Sequence, residues 1–287
     1  MSSSRPRGWL SRAWVFTKAI AETTPGKIGL ILTIGFFLLA IFAPWLAPYS
    51  PSRTTGPTYA TPSLKHLLGT DDVGADLLSQ LIWASRGSLT IGISAALISV
   101  FLGVSVGLVA GYYGGRGGEG LMRATDVVLV IPLLPLLIVV AAIFPGSVLV
   151  EIVVIGALSW PPTARVIRSQ TLTLKSRPFV DASKLSGMSD LEIMVKVLLP
   201  NMIPLAVLYG VFAAVSAVVI ESGLDFIGLG SISNLSWGIM LYFALARNAL
   251  IRGAFWWFLP PGLMIALMGT AFIFLGNSFE RAARART

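Results

Sequence analysis

The densest cluster of ligand-type side chains in the sequence is Gly69-Thr70-Asp71-Asp72-Val73-Gly74-Ala75-Asp76-Leu77-Leu78-Ser79. Three aspartates around a glycine could hold calcium, but the spacing is not that of an EF-hand loop and the closing glutamate is missing. The simpler chemistry is local: Asx turns, then a helix N-cap from Asp or Thr. The chain has one histidine, His66, and no cysteine, so it cannot form a His cluster, a thiolate metal site or a disulfide. No nucleophile–base pair stands out. Gly114 to Gly120 is glycine-rich, yet it lacks the lysine of a phosphate-binding loop and the strand that precedes one. Asp126, Glu151 and Glu221 fall near the ends of apolar runs rather than in their middles. An ion-coupled carrier usually needs a midplane ionisable group, so this pattern argues against one. No catalytic residue, metal site or bound cofactor is expected in the chain itself.

Those residues must be positioned by elements in a membrane. Hydrophobic residues make up 55% of the 287 and charged residues only 12%, with mean hydropathy +0.82. A soluble domain carries roughly 25% charge, and disorder needs low hydrophobicity, so much of the surface is expected to face lipid. Charge-free stretches of 24 to 29 residues enclose the runs Ile28–Leu46, Leu89–Tyr112, Val127–Phe144, Met202–Ile220 and Phe255–Leu275. Each holds the ~20 apolar residues of a spanning helix. Pro145-Gly146 reads as a tight turn, and a weaker run returns from Val148 to Trp160 before Pro161-Pro162. Phe226 to Ala246 is broken by glycine, serine and asparagine and reads as a loop.

Charge asymmetry favours six spans over five with a re-entrant segment. With the N-terminus inside, 16 of the 21 Lys and Arg fall on the inner segments 1–27, 113–126, 161–201 and 277–287. Five spans would place the tail arginines or the basic N-terminus outside, against the positive-inside bias. The net charge of +8 is therefore read as topology and not as nucleic-acid binding. About 27 residues precede the first apolar run, so a cleaved signal peptide is not expected. The organisation read here is an inner N-terminal segment 1–27, a membrane domain 28–278 and a basic tail 279–287. An outer loop at 50–87 and an inner loop at 161–201 lie within the membrane domain.

Two features of those elements are specific. Ala95, Ser99, Gly103, Gly107 and Gly111 recur four apart, placing small residues in one stripe for close packing in lipid. The stripe fits either packing within the chain or contact with a second subunit. In the inner loop, Pro178 to Ser186 predicts a short helix with proline in its first turn. Gly187 fits the left-handed position after it, and Ser189-x-x-Glu192 reads as a capping box. The result is a helix–glycine–helix elbow, with Val180, Leu185 and Met188 expected to be exposed and in need of a cover.

This elbow resembles the EAA motif of ABC importer permeases, Glu-Ala-Ala-x3-Gly-x9-Ile-x-Leu-Pro. The chain reads Asp181-Ala182-Ser183, three residues, Gly187, nine residues, then Val197-Leu198-Leu199-Pro200. Gly69 to Ser79 resembles the outer-loop signature of the C-type permease subunit in dipeptide, oligopeptide and nickel importers, with Ala75 where arginine is usual. Gly111-Tyr112-Tyr113-Gly114-Gly115 is similar to the turn after that subunit's second span. Glu221-x3-Asp225-Phe226-Ile227-Gly228-Leu229-Gly230 and Ser236-Trp237-Gly238 resemble its segment after the fifth.

The resemblance implies an all-α integral membrane protein of six transmembrane helices, the type I ABC importer permease fold with a cytoplasmic coupling-helix loop. It implies that Asp181, Ala182, Ser183, Leu185, Gly187, Leu199 and Pro200 couple to an ATPase. It also implies a second homologous permease, two ATPase subunits or one fused ATPase carrying ATP and Mg, and an extracytoplasmic solute-binding protein. The implied location is the bacterial cytoplasmic membrane, multi-pass, with both termini cytoplasmic. Peptides are the leading cargo, with nickel chelates, glutathione and glycosides as alternatives. A self-sufficient channel or ion-coupled secondary transporter is the rival reading, and an assembly scaffold a third.

Overall fold

Thr23 opens the first helix of the computed structural model, which describes residues 23–284. The hydroxyl of Thr23 accepts the Gly26 N–H at 3.1 Å, and Pro25 sits in the first turn of α1 (Thr24–Ile41). Phe42 breaks the run, and Pro44 lies in the single turn α2 (Ala43–Leu46). After a loop, Asp76 caps α3 (Leu77–Tyr113), accepting the Ser79 N–H at 2.8 Å. At 37 residues, α3 is ~55 Å long by its rise per residue, well beyond a ~30 Å hydrocarbon core. The expected outer loop therefore ends about ten residues early, because the Asp76 cap starts the helix at Leu77.

The third span is not one helix. α4 (Gly115–Val130) and α5 (Leu133–Ile143) meet at 73°. Pro132 explains the break: it has no N–H to donate, and it pushes Ile131 to φ −69°, ψ 118°. The Pro161-Pro162 pair has the opposite outcome. α6 (Val148–Ser159) continues through helical Trp160 into α7 (Pro161–Lys175), together one apolar stretch. Proline in a first turn has no intrahelical bond to lose, so it does not end the span. Much of the expected inner loop 161–201 is thus helix.

α8 (Pro178–Leu185) and the turn α9 (Asp190–Glu192) form the elbow. A π-helical stretch, Ile193–Leu198, then leads into α10 (Leu199–Phe226). The segment expected as a loop after it contains α11 (Trp237–Ala246), capped by Ser236, whose Oγ accepts the Ile239 N–H at 3.1 Å. α12 (Phe255–Arg284) is last. Among the described residues, five helices are long and apolar enough to cross a membrane, or six if the bent α4–α5 pair is one span. Residues 1–22 of the basic N-terminal segment and 285–287 of the tail lie outside the described residues.

α3 is the central post, packed against α6, α7 and α10. One cluster gathers Trp237, Trp257 and Met268 near the α3 N-terminus. Another surrounds Ile193 and Met202 near its C-terminus. A third joins Ile91, Leu137, Ile155 and Leu224 between them. Ile31, Phe101, Leu149 and Ile203 remain exposed on the helices, as expected of faces whose solvent is lipid.

Candidate functional site

The elbow is fixed on one side and bare on the other. Ser186 follows α8, and Gly187 has φ +81°. The Gly187 N–H donates to the Lys184 carbonyl at 3.0 Å and the Met188 N–H to the Ser183 carbonyl at 3.2 Å. This is a Schellman closure, which a left-handed residue makes possible. Ser189 then caps α9 reciprocally: its N–H donates to Glu192 Oε2 at 3.1 Å while its Oγ accepts the Glu192 N–H at 3.4 Å.

Val180, expected on the exposed side, is fully buried among Tyr112, Ile167, Ile193, Met194 and Leu198. Met188 is half-buried against the same cluster. The reason is that α8 packs on the π-helical stretch, while at the end of α3 Tyr112 Oη donates to Asp190 Oδ1 of α9 at 2.5 Å. Lys175 Nζ also donates to the Tyr112 carbonyl. Facing away, Leu185 is 90% exposed, and Phe179 and Leu191 are exposed with it. Asp181, Ala182, Gly187 and Pro200 are exposed, whereas Ser183 and Leu199 are half-buried. The structure thus brings the elbow residues together as a short rigid projection. Leu199 and Pro200 are the first two residues of α10, directly after the π-helical stretch.

The small-residue stripe lies on the α3 face that meets α6 and α7. A Cβ built on Gly107 would stand 2.5 Å from the Ala164 carbonyl oxygen and 2.8 Å from Ile167 Cβ. On Gly103 and Gly111 it would meet Thr163 Cβ at 2.6 Å and Thr171 Cβ at 2.5 Å. Ala95 and Ser99 are buried on the same face. The stripe is filled from within the chain, so this seam is not open to a second subunit.

At the opposite end of α3, the aspartate-rich loop is a hydrogen-bonded knot. Asp71 Oδ1 accepts the Val73 and Ala75 N–H groups at 3.0 and 2.8 Å, and its Oδ2 accepts Gln80 Nε2 at 2.6 Å. Burial pushes the Asp71 carboxyl up from its ordinary value, opposed by the Ala75 N–H, the Gln80 amide and the Val73 N–H. Asp76, besides capping α3, lies 2.9 Å from Nδ1 of the buried His66. The Thr70 hydroxyl donates to the Pro57 carbonyl and accepts the Ala60 N–H. Both carboxylate oxygens of Asp71 are thus hydrogen-bonded within this fold.

The knot is tied to the far segment of the chain: Arg247 pairs with Asp72 at 3.2 Å, and Tyr59 Oη donates to the Arg247 carbonyl at 2.9 Å. Between knot, α3 and residues 231–235 opens a cleft of about 680 Å³, with Trp83, Arg86 and Arg247 on its wall. Sequence reasoning did not find it, because its walls come from segments some 150 residues apart.

A second feature went unread. Glu221, Asp225 and Glu151 are all buried. Asp225 accepts the Ser236 hydroxyl at the start of α11, and Ser222 Oγ donates to Glu221 Oε2 at 3.1 Å. Gly230 and Gly238 press so closely on Asp225 that an added Cβ would overlap its side chain. The arrangement pins residues 227–236 and α11 to the end of α10. The i, i+4 spacing of Glu221 and Asp225 was a signal, since it puts both on one helix face.

Residues 103–286 match the family model of the binding-protein-dependent transport system inner membrane component. Residues 25–65 match that of the N-terminal TM domain of oligopeptide transport permease C. The chain is 34% identical to the di/tripeptide transport system permease protein DppC of Pseudomonas aeruginosa, covering 93% of this chain and 90% of that one. It is 33% identical to the dipeptide permease DppC of Bacillus subtilis, covering 88% and 79%. Against the oligopeptide permease OppC of Haemophilus influenzae it is 30% identical, covering 94% and 87%.

Proposed function

The chain belongs to the family of binding-protein-dependent transport system inner membrane components, permeases of ABC importers with the type I fold, and from that premise we propose that it couples peptide import to ATP hydrolysis through its elbow. The observation that carries the coupling role is the contrast across α8: Val180 is buried while Leu185 is bare. An exposed leucine on a rigid, capped projection is a poor surface for water and a good anchor for a groove. The elbow accordingly docks in the ATPase subunit, and Asp181, Ala182 and Ser183 line the contact. Peptide cargo is supported by the names of the relatives at 30–34% identity.

In this reading the chain works with a second permease, two ATPase subunits or one fused ATPase that hold ATP and Mg, and an extracytoplasmic binding protein. ATP closes the ATPase dimer, the elbows move with it, and the bundle passes from inward-open to outward-open. ATP drives that switch only because the two states bind it differently. The elbow end lies in the cytoplasm and the aspartate-rich loop outside.

The test is reconstitution. The complete complex should show cargo-dependent ATP hydrolysis, and Leu185→Asp should weaken ATPase capture about tenfold or more, the scale of one lost interface anchor. Full capture by that variant at normal membrane abundance would remove the elbow from the coupling path.

A further inference from the structure

We propose that the cleft beside the aspartate-rich loop is a carboxylate-binding site, in which Arg86 holds the C-terminal carboxylate of a peptide. The proposal rests on the peptide-import reading above. Its volume of about 680 Å³ falls in the range of small-molecule sites, ~300–1,000 Å³. Its walls combine apolar side chains, among them Val73, Leu235 and Phe243, with a few charged groups.

The charges decide the ligand. Asp71 is engaged by two N–H groups and the Gln80 amide. Asp72 and Arg247 neutralise each other at 3.2 Å. Among the described residues Arg86 has neither a carboxylate within ion-pair distance nor a hydrogen-bond acceptor, and it is exposed in the cleft wall. Its guanidinium lies 5.3 Å from the centre of the Trp83 ring. A ring at that distance attracts the cation and restrains its fork, leaving the N–H donors for a planar anion. A carboxylate matches that fork bidentately.

A second donor lines the same cleft. Gly87 is packed so tightly on the 231–235 segment that an added Cβ would lie 2.2 Å from the Leu235 carbonyl and 3.2 Å from Asn234 Nδ2. The Asn234 side-chain amide is therefore held one residue along α3 from Arg86, and it has no hydrogen-bond partner among the described residues. A free ammonium finds no such uncommitted anion here. The site thus selects the carboxylate end of a peptide, with the preceding side chain against the apolar wall.

The experiment is uptake of a matched pair, a dipeptide and its C-terminal amide, by proteoliposomes holding the complete complex. The readout is the free-acid to amide ratio of uptake at low substrate, which cancels differences in the amount of assembled complex. Arg86→Gln should shrink the wild-type ratio about tenfold, the scale of one charge-assisted hydrogen bond. Arg86→Lys should fall between, because it keeps the charge but loses the fork. Asn234→Ala, away from the helix and able to fold where an arginine variant fails, should shrink it about threefold. Wild-type transport with an unchanged ratio in Arg86→Gln and Asn234→Ala overturns the assignment alone. Equal loss of acid and amide uptake also overturns it, since Arg86 would then serve delivery by an acidic protein partner. A wild-type complex carrying neither peptide overturns the import reading, and this proposal with it.

Discussion

Gly187 and Asp71 show how single residues set the two ends of the molecule. At φ +81° Gly187 has no heavy atom within 4 Å of where a Cβ would stand. Its penalty for substitution is purely conformational, roughly 1–2 kcal/mol, and asparagine escapes most of it. That is too small to unfold six spans and large enough to misaim an elbow. Cargo uptake per ATP should therefore fall in the order Gly, Asn, Ala, Val at position 187, with membrane abundance constant; wild-type coupling in Gly187→Val would defeat the claim. Asp71 responds to pH instead. Its carboxyl is raised by burial, so the native loop favours the protonated form. That contribution is complete below the unfolded value and is lost as pH rises through the raised one. Asp71→Asn cannot ionise, so its thermal midpoint relative to wild type should rise as pH climbs through and above the ordinary carboxylate range. A difference that stays flat or falls would mean the Asp71 hydrogen bonds outweigh its burial.

Helix pairing turns on atoms that the sequence pattern only implies. At Gly107 two effects of an alanine compete. Helix propensity favours the change by ~1 kcal/mol, while overpacking costs ~1–3 kcal/mol. The Cβ would stand 2.5 Å from a backbone carbonyl that cannot rotate aside, so overpacking should win. Gly107→Ala is expected to lower the thermal midpoint of the purified chain in detergent, and Gly107→Leu to block accumulation. Gly120→Ala, on a helix position with open space around it, should be neutral or stabilising; equal behaviour of the two glycines would show that the α3–α7 seam is loose. The stripe and the elbow caps were legible because each is local: a fixed spacing, a proline, a glycine, a Ser-x-x-Glu. The breaks were less so. Pro132 ends a helix and Pro161 begins one, and which role a proline takes depends on whether its missing N–H was needed. Apolar runs look alike in either case.

For the whole molecule, legibility stops where distant segments meet. The cleft joins Trp83 and Arg86 to Asn234 and Arg247, and Val180 is hidden by residues as far along as Leu198; neither follows from composition or period. Topology is different, because it follows from counting. With six spans and the elbow end inside, the sequence assigns 16 of its 21 Lys and Arg to inner segments. The cost of moving positive loops outward is what orients such chains during insertion. The bent α4–α5 pair is the weak step, since a re-entrant pair would leave five crossings and put the tail opposite the first inner segment. Single cysteines distinguish these arrangements, as the chain has none of its own. Ser52 and Ser186 are exposed at opposite ends of α3, and Ala283 lies in the last turn of α12. With an impermeant thiol reagent on intact cells, Ser52→Cys should label while Ser186→Cys and Ala283→Cys label only after permeabilisation. If Ala283→Cys labels together with Ser52→Cys, α4 and α5 enter and leave the membrane on one face. The alternating-access reading would then lose the six-span frame on which it depends.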